Sequence, residues 1–441
     1  MVQDRQANDG DAGAIETLQR RLGADGLDLP LRLWDDRTLG PDDTGYRLIL
    51  CHPWSLRDML LPASDLRVGE AYLRDAVDVE GSMVAAVRDL ARLRDGLTPA
   101  GRRALLRLLL RLPAPPRNSD RRRVRLRGRR HSQARDAAAI RHHYDVGDDF
   151  YRRILDRDLV YSCAYFAEAD RDAPFTDRAA LDRAQSRKLE LVCRKLDLDP
   201  GERLLDIGCG WGSLVIHAAR HHGVRALGVT LSENQARTAR ERVAAAGLGD
   251  RVRIELRDYR EVTGTFDAIA SIGMVEHVGA DQLPRYVAKL YSLLAPGGRL
   301  LNHGITTGQR DLVRDLSRDP NSFVGRYVFP DGALVPAHHM ARHVEQAGFE
   351  LRDVEQLRPH YARTTAHWVA NIEAAYDHLR ELVGERTVRV WRAYLAGSSV
   401  AFEHGDLGVI QVLATREPAT LPLDRDHHAL GVRGSEFRSV G

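Results

Sequence analysis

A glycine-rich turn between a short apolar strand and a helix constrains the fold of this chain more than any other feature. The apolar stretch RLLDI at 203–207 predicts a strand and leads into Gly208-Cys209-Gly210-Trp211-Gly212. SLVIHAARHHG then continues as a predicted helix. Glycines at alternate positions let the backbone approach a ligand closely, and amides at the start of a helix face that ligand. The turn therefore predicts an α/β fold with a ligand at the strand end.

Strands and helices alternate after this turn. The pattern predicts further strands at 226–230, 251–256, 266–273 and 299–305, with helices at 232–247 and 281–294. Ser232, followed three residues later by Gln235, indicates a capping box. The alternation predicts a doubly wound sheet, with a last antiparallel edge strand at 408–416. Residues 306–401 are too many for a loop, so we expect a helical lid insert over the carboxyl ends of the strands, where such sheets bind ligands.

The chain of 441 residues is long for one domain, so we expect an added domain. The composition predicts a disordered tail at 1–13, a small N-terminal α+β accessory domain at 14–110, a basic linker at 111–137, a catalytic domain at 138–420 and a C-terminal tail at 421–441.

The stretch Arg102 to Arg135 contains thirteen arginines and one acid, Asp120. It is either a solvated interdomain linker or a surface that contacts anionic lipid headgroups, where cationic side chains are favourable. Nucleic acid ranks lower, because no recognition motif accompanies the arginines. We therefore predict an anionic membrane surface, and no nucleic acid, as a partner.

The chain has no apolar run long enough to span a bilayer and no signal-peptide pattern at its N-terminus. Its cysteines, Cys51, Cys163, Cys193 and Cys209, show no CxxC spacing. These features predict a reduced cytoplasmic protein that associates peripherally with membranes. His339 and His343 are four residues apart but have no obvious third ligand, and His221-His222 end a predicted helix, so no metal site is predicted.

The turn differs from the nicotinamide-binding pattern. Ser213 follows Gly212, and Thr230 stands where an acid would end the second strand. The D-x-G-x-G-x-G form instead resembles motif I of class I methyltransferases, and the PGG at 296–298 strengthens that resemblance. The resemblance implies a Rossmann-like class I methyltransferase fold and S-adenosylmethionine as the cofactor.

Several local sequences narrow the resemblance to one family. They are HHYDVGDDFYRRIL, YSCAYF, LLDIGCGWGSL, GVTLSENQ, SIGMVEHVG, LNHGI, YVFPDGALVP and HYARTTAHW. Together they resemble the cyclopropane fatty acid synthase family, which includes the mycolic acid methyltransferases, over 138–416. GEAYLRDAVDVEG is similar to the accessory domain of phospholipid-acting members. The resemblance implies a homodimer that methylates the cis double bond of unsaturated phospholipid acyl chains.

The resemblance also implies two sets of site residues. The set that contacts S-adenosylmethionine matches Tyr161, Ser162, Asp206, Gly208, Gly210, Gly212, Thr230, Leu231, Gln235, Tyr259 and Ile272. The set that holds a bicarbonate ion beside the reacting carbons matches Cys163, Glu276, His303, Ile305 and Tyr361. Where the family commonly has a cysteine in a C-terminal YLxxC segment, this chain has Ser398, which argues against an essential thiol there.

The implied chemistry explains why such a site is needed. An alkene is a weak nucleophile, so the sulfonium methyl must be oriented towards it. Methyl transfer leaves a carbocation that water would quench, so the site must be dry. Bicarbonate is suited to remove a proton from the added methyl group. Ring closure would give a cyclopropane and a prior hydride shift a 10-methylene acid, and the sequence leaves both products open.

Two other functions stay open at this point. One is a methyltransferase for a small polar acceptor, which would need a polar acceptor site. The other is a non-catalytic lipid-binding protein that keeps the fold. Apolar and aromatic residues of the insert, such as Phe323, Tyr327 and Trp368, favour an acyl-chain tunnel. The intact glycine turn and the five bicarbonate positions favour an enzyme.

Overall fold

The computed structural model describes residues 9–24, 26–116, 135, 146–308, 313–315, 319 and 321–417. The chain divides into two compact units. The first comprises Met1–Leu126, Asp315–Pro330 and Thr365–His404, and the second Arg127–Arg314, Asp331–Thr364 and Gly405–Gly441. The prediction treated 306–401 as one insert, whereas the contacts divide this stretch between the two units. Its placement over the strand ends stays a prediction.

The helices and strands follow one another along the chain. Before the glycine turn lie α1 (Asp9–Ala24), β1 (Leu31–Arg32), β2 (Thr38–Leu39), β3 (Tyr46–Leu50), α2 (Ser55–Leu60), α3 (Asp65–Leu73), β4 (Val77–Gly81), α4 (Met83–Gly96), α5 (Pro99–Arg111), α6 (Asp148–Ile154), α7 (Arg178–Lys195) and β5 (Arg203–Ile207).

After the turn lie α8 (Ser213–His221), β6 (Arg225–Thr230), α9 (Glu233–Ala245), β7 (Val252–Leu256), β8 (Phe266–Ile272), α10 (Leu283–Leu293), β9 (Leu294–Thr307), β10 (Arg314–Asp315), α11 (Phe323–Tyr327), β11 (Ala333–Pro336), α12 (Ala337–Gln346), β12 (Phe349–Gln356), α13 (Arg358–Ala374), α14 (Tyr376–Val383), α15 (Glu385–His404) and β13 (Leu407–Arg416).

The first unit is an α+β body around a four-stranded sheet in the order β2-β1-β3-β4. Helix α15 packs against α3 and α4. Buried Arg392 of α15 donates hydrogen bonds to the carbonyl oxygens of Val79 and Gly81 and pairs with Glu373 at 2.9 Å. A buried charge is tolerated when its donors are satisfied in this way. These bonds explain why part of the predicted insert belongs to the same body as the N-terminal residues.

The first helix begins earlier than predicted. Residues 9–13, assigned to a disordered tail, form the first turns of α1. Ala12 is 1 % exposed and Ile15 is 2 % exposed, so this end of the helix packs into the core of its unit. The small polar residues of the segment concealed that packing. Residues 1–8 and the predicted tail at 421–441 lie outside the described residues, as does most of the basic linker.

The second unit contains the predicted doubly wound sheet. Its principal strands follow the order β7-β6-β5-β8-β9-β13-β12, and β5 to β9 are parallel. Strand β13 is antiparallel to β9, as predicted, but it is not the edge strand. Strand β12 pairs antiparallel along its other side. Nearly every residue of β13 is buried, as is typical of a strand that is covered on both faces.

Apolar layers cover both faces of this sheet. Helices α7, α8 and α9 contribute buried residues to one layer, and α10 and α12 contribute to the other. The strand order reverses at β5, whose neighbours are β6 and β8. The carboxyl ends of these strands therefore border the crevice in which open α/β sheets bind ligands. No helix in the described ranges combines the length and apolarity needed to cross a bilayer.

Candidate active site

The glycine turn joins β5 to α8 in the conformation that the sequence predicts. Gly208, Gly210 and Gly212 all have positive φ values, at 79°, 54° and 81°. Gly212 is the left-handed N-cap of α8, and a β-carbon there would lie 3.2 Å from that of Ala239. A side chain at Gly212 would therefore be both strained and crowded. The turn leaves the first amides of α8 without helical acceptors, as an anion-binding or dipole-binding turn requires.

The end of β6 presents polar groups that hold one another. The Thr230 hydroxyl donates to Gln235 Oε1 at 2.8 Å and accepts from the Ser232 amide at 3.2 Å. Ser232 caps α9 by accepting from the Gln235 amide, as predicted. The Gln235 side chain does not return the bond to Ser232 and bonds to Thr230 instead. Thr230 and Gln235 thus form an ordered polar edge where a nicotinamide site would have an acid.

A single pocket collects most of the residues that the resemblance assigned to the cofactor. Those that line it are Tyr161, Ser162, Asp206, Gly208, Gly210, Thr230, Leu231, Gln235, Tyr259 and Ile272. Gly212 does not line this pocket and acts instead as the helix cap behind it. The pocket lies at the carboxyl ends of β5, β6 and β8, where the strand order predicts it. The residues' contacts with the cofactor stay a prediction.

Sequence reasoning missed two polar residues that shape the pocket from α7. Lys188 lines it and donates to the Ser162 hydroxyl at 2.9 Å. Gln185, one turn earlier, donates to the Ser162 carbonyl at 2.9 Å and to that of Val160 at 3.3 Å. Both side chains are buried. A polar pair at i and i+3 within the apolar stripe of α7 was the available signal.

Burial also changes the acid–base properties of this pocket. It raises the pKa of Asp206 to about 7, although the charge of Lys188 opposes the shift. It lowers the pKa of Lys188 to about 8, against the influence of Asp156 and Asp206. Both pKa values therefore lie near neutral pH. A sulfonium cation bound in the pocket would favour the ionised form of Asp206.

The HHYDVGDDFYRRIL segment supports the turn through an aromatic contact. The indole N–H of Trp211 donates to Asp148 Oδ1 at 2.9 Å. The ring of Tyr151 lies against Trp211 with centroids 4.8 Å apart, and 5.6 Å from that of Tyr161. Helix α6 is thereby tied both to the glycine turn and to the YSCAYF segment. This explains physically why these distant motifs occur together.

Glu276 lies just after β8, in a short 3-10 helix at Val275–His277. Its Oε1 accepts from the Ile305 amide at 2.6 Å, whereas its buried Oε2 has no hydrogen-bond partner among the described residues. Burial raises the pKa of Glu276 to about 7, and the Ile305 hydrogen bond only partly opposes it. Gly304 makes this approach possible, because a β-carbon there would lie 2.2 Å from Val275 Cγ1.

His303 lies on β9, opposite Gln411 of β13. The side-chain amide nitrogen of Gln411, Nε2, is 3.3 Å from His303 Nδ1. An amide nitrogen donates, so Nδ1 accepts and the neutral ring carries its proton on Nε2. Burial lowers the pKa of His303 to about 3, which keeps the ring neutral. Nε2 is buried and, within the described part of the chain, has no hydrogen-bond partner.

The remaining two predicted ligands, Cys163 and Tyr361, both contact the carbonyl oxygen of Leu357. The Cys163 thiol lies 3.8 Å from the Leu357 carbonyl oxygen, which also accepts from the Tyr361 amide at 3.2 Å. The Leu357 amide in turn donates to the carbonyl of Val409, which pairs with Ile305. A chain of side-chain and backbone contacts therefore links all five predicted bicarbonate positions. Burial raises the pKa of the Cys163 thiol above its usual range, so it is no ready nucleophile.

None of these five residues lines the cofactor pocket, but Cys163, Glu276 and His303 are next to residues that do. Ile272 lines the pocket and pairs with His303, and Gly273, Met274 and His277 continue the lining around Glu276. Sequence reasoning also missed His277, whose pKa is lowered to about 4 by burial. The arrangement is a polar pocket beside buried titratable side chains, among which burial shifts the pKa values of Glu276 and His303 towards their neutral forms.

Comparison with known proteins identifies the family. Residues 131–412 match the family model described as mycolic acid cyclopropane synthetase. This chain belongs to that family. It is therefore an S-adenosylmethionine-dependent methyltransferase of the cyclopropane fatty acid synthase family, and the predicted fold class is confirmed.

Relatives of known name span different parts of the chain. A probable fatty acid methyltransferase of Pseudomonas putida is 38% identical over 408 residues, which cover 92% of this chain and 94% of that protein. The cyclopropane-fatty-acyl-phospholipid synthase of Escherichia coli strain K12 is 37% identical over 274 residues, covering 62% of this chain and 66% of that protein. The first of these similarities extends well beyond the catalytic unit.

Two solved structures are similar to about two thirds of this chain. The cyclopropane synthase MmaA2 from Mycobacterium tuberculosis has a TM-score of 0.58 and 31% identity, covering 63% of this chain and 98% of that one. The mycolic acid cyclopropane synthase CmaA1, complexed with SAH and CTAB, has a TM-score of 0.57 and 32% identity, with coverages of 63% and 98%. Both structures contain the methyltransferase fold described above.

Proposed function

We propose that this enzyme methylates the cis double bond of unsaturated acyl chains in membrane phospholipids and yields a cyclopropane or a 10-methylene fatty acid. One observation carries the proposal: Glu276 Oε2 and His303 Nε2 are buried beside the cofactor pocket and have no hydrogen-bond partner in the described ranges. The relatives include a probable fatty acid methyltransferase and a cyclopropane-fatty-acyl-phospholipid synthase, and these similarities support a lipid substrate. S-adenosylmethionine supplies the electrophilic methyl group.

The residues around Glu276 fit a bicarbonate ion by their donor and acceptor chemistry. Neutral His303 offers an N–H donor at Nε2. Glu276 offers Oε2, which accepts a hydrogen bond when ionised and donates one when protonated. Leaving both atoms unpaired would cost the desolvation free energy of two buried polar groups. A small hydrogen-bonding anion would recover that cost, and when bound it supplies a base for the proton released from the added methyl group.

The protein's own contribution is orientation and exclusion of water. The Ile305 amide fixes the carboxylate of Glu276, and Gln411 fixes the ring and tautomer of His303. Apolar neighbours Val275 and Val409 fill the space around them. A dry environment lengthens the lifetime of a carbocation and prevents its capture as an alcohol. Orientation of the alkene towards the pocket would supply most of the remaining rate enhancement.

Mass spectrometry tests the substrate half of this proposal. Fatty acid methyl esters are prepared from an oleate-fed host that expresses the protein, and from hosts that express Glu276→Gln or the exposed control Glu350→Gln. We expect an acid heavier by one CH2 with the wild type and with Glu350→Gln, and none with Glu276→Gln. Mild hydrogenation then distinguishes the products, because it reduces a methylene group but leaves a cyclopropane intact.

The same experiment separates the alternatives. A folded protein that binds S-adenosylmethionine but makes no new acid would indicate a different acceptor, such as a small polar molecule. A protein that binds lipid but not the cofactor would be a non-catalytic lipid-binding protein. An altered acid that also forms with Glu276→Gln would contradict the role given to Glu276.

We further propose that α5 contacts the anionic membrane surface. Leu106 and Leu110 are 46% and 57% exposed, and Arg103 and Arg107 share their helical face. The helix N-cap is Thr98, which accepts from the Gly101 amide. Exposed leucines flanked by arginines suit insertion into headgroups, with about 1 kcal/mol from each nearby cationic side chain. The rest of the predicted basic surface, beyond Arg111, lies almost wholly outside the described residues.

Vesicle sedimentation tests this contact. The double variant Leu106→Ser/Leu110→Ser should bind phosphatidylglycerol vesicles more weakly than the wild type, and Arg103→Gln/Arg107→Gln should lose salt-sensitive binding. Leu382→Ser, at a 43% exposed leucine of α14, is the matched control. Equal binding by all variants would contradict the proposal. Point variants are preferable to deletion of the N-terminal residues, because the first unit also contains Thr365–His404. The predicted homodimer stays a prediction.

A further inference from the structure

Cys193, His217 and His222 bring their metal-ligating atoms together in the second unit, and the Glu190 carboxylate contacts both histidines. Cys193 and Glu190 lie one turn apart on α7, and His217 lies on α8, which His222 caps. Ligand atoms of Cys193, His217 and His222 all lie within 4.8 Å of one another. Glu190 Oε2 is 3.2 Å from His217 Nε2 and 3.1 Å from His222 Nε2. None of these residues lines the cofactor pocket.

We propose that Cys193, His217 and His222, with Glu190 as the fourth ligand, form a zinc site that joins α7 to α8. Tetrahedral zinc places neighbouring nitrogen and sulfur ligands roughly 3.3 to 3.6 Å apart, given bonds of about 2.0–2.3 Å. The three ligand atoms need only small side-chain rotations to reach that spacing from within 4.8 Å. A thiolate with two imidazoles selects zinc over harder cations.

The charges of the site balance for a divalent cation. Zinc, the Cys193 thiolate and the Glu190 carboxylate sum to zero net charge. As the zinc–sulfur bond forms, the thiol proton leaves for solvent. Each imidazole binds through an unprotonated ring nitrogen and keeps one proton on the other nitrogen, so the net release is the one proton from Cys193. Arg194 donates to Glu190 Oε1 at 2.7 Å and leaves Oε2 to face the histidines. This is the outer-shell support that ligating carboxylates commonly have.

The position in the fold also favours a cation. Cys193 lies in the last turn of α7 and His222 caps the C-terminus of α8, where helix dipoles carry partial negative charge, and Glu190 and His217 lie about one turn before them. Cys193 is wholly buried, whereas the side chains of Glu190, His217 and His222 are 21%, 15% and 17% exposed. The histidine side therefore provides an entry route from solvent, and the thiolate would be shielded from oxidation behind it.

The sequence predicted no metal site, and the reason is spacing. Glu190 and Cys193 are more than twenty residues from His217 in the chain, no CxxC pattern marks them, and the HxxxH spacing that His217 has is with His221 and not with His222. Only the packing of α7 against α8 brings them together. Helix α7 also carries Lys188 and Gln185, and α8 begins at the glycine turn. Zinc would therefore brace the cofactor pocket from behind, without contacting the reacting groups.

Cobalt substitution gives a spectroscopic test on the full-length chain, purified without a polyhistidine tag. We expect one Co²⁺ per chain, with visible bands of tetrahedral cobalt and a thiolate-to-cobalt charge-transfer band. Zinc should displace the cobalt, release about one proton per ion bound, and raise the midpoint of thermal unfolding. These readouts do not depend on catalytic activity.

Isosteric variants assign the ligands. Cys193→Ser should lose the charge-transfer band, and His217→Gln, His222→Gln and Glu190→Gln should each weaken zinc binding by at least about 10-fold. Cys51→Ser and His378→Gln, at an exposed histidine of α14, are the matched controls and should bind zinc like the wild type. Circular dichroism of the metal-free variants checks folding.

Two results would overturn the proposal. The first is a cobalt spectrum of the wild type that lacks the thiolate band, which needs no variant to interpret. The second is zinc binding that survives in Cys193→Ser and His222→Gln with unchanged affinity, since this would assign the ion to surface histidines.

Discussion

The cofactor pocket and the neighbouring Glu276–His303 group differ in the hydrogen bonding of their polar side chains. In the pocket, Thr230 bonds to Gln235 and Lys188 bonds to Ser162. Beside it, Glu276 Oε2 and His303 Nε2 are buried without hydrogen-bond partners among the residues described. A satisfied network is rigid and preformed, whereas unsatisfied buried groups cost free energy until a ligand pairs with them. Under the proposed function, the first region would orient the cofactor and the second would take part in the chemistry.

The largest effect is expected from a substitution in the Glu276–His303 group. Glu276→Gln keeps the shape of the side chain but removes its charge and its acidity. We expect turnover to fall by about 10²–10⁴-fold, the range for loss of an acid–base group, while the dissociation constant for S-adenosylmethionine changes less than about 3-fold. Single-turnover kinetics and calorimetric titration measure the two quantities. A parallel loss of affinity for S-adenosylmethionine would show that the two regions act as one functional site.

The pH dependence of the free energy of unfolding tests the same difference between the two regions. Burial raises the pKa of Glu276 from 4.5 to about 7. Between these values the folded state retains a proton that the unfolded state has released, so the free energy of unfolding decreases as pH rises through this window. Glu276→Gln should therefore be more stable than the wild type by roughly 1–3 kcal/mol near pH 8, with little difference near pH 4.

Urea denaturation of the cofactor-free protein in bicarbonate-free buffer measures this difference. Adding bicarbonate near pH 8 should stabilise the wild type and leave Glu276→Gln less affected. A constant offset between the two proteins at all pH values would show that Glu276 does not titrate abnormally.

The next largest effect is expected in the cofactor pocket. Lys188→Met removes the charged donor to Ser162, and we expect a loss of about 1.5–3 kcal/mol in S-adenosylmethionine binding free energy, the range for hydrogen bonds to charged groups. Lys289→Met removes a lysine with one backbone bond outside the pocket and is the control. The double variant with Ser162→Ala should lose less than the sum of the two singles. Full additivity would mean that Lys188 acts elsewhere.

The smallest expected effect is at Thr230. Thr230→Val removes its hydrogen bond to Gln235 and should weaken cofactor binding by about 1 kcal/mol, or roughly 5-fold. Thr415→Val is the matched control, because the Thr415 hydroxyl is buried without a partner in the described structure. Calorimetric titration of both variants measures the change. A larger loss at Thr230 would indicate direct contact with the cofactor's ribose.

The sequence by itself determined the methyltransferase sheet, the glycine turn and the residues that line its pocket. These features depend on local patterns: apolar strands, glycines with positive φ, and a serine cap that begins α9. Residue type and spacing specify them directly, because the groups that interact are close along the chain. The family motifs likewise predicted Glu276 and His303, though not that each would hold one unpartnered atom.

Only the tertiary structure decided what depends on contacts between distant segments. It placed β12 outside β13, assigned Thr365–His404 to the N-terminal body through Arg392, and set Lys188 against Ser162. It also brought Cys193 to His217 and His222. Buried charges and strand neighbours are selected by three-dimensional packing, which has no fixed period or spacing in the chain.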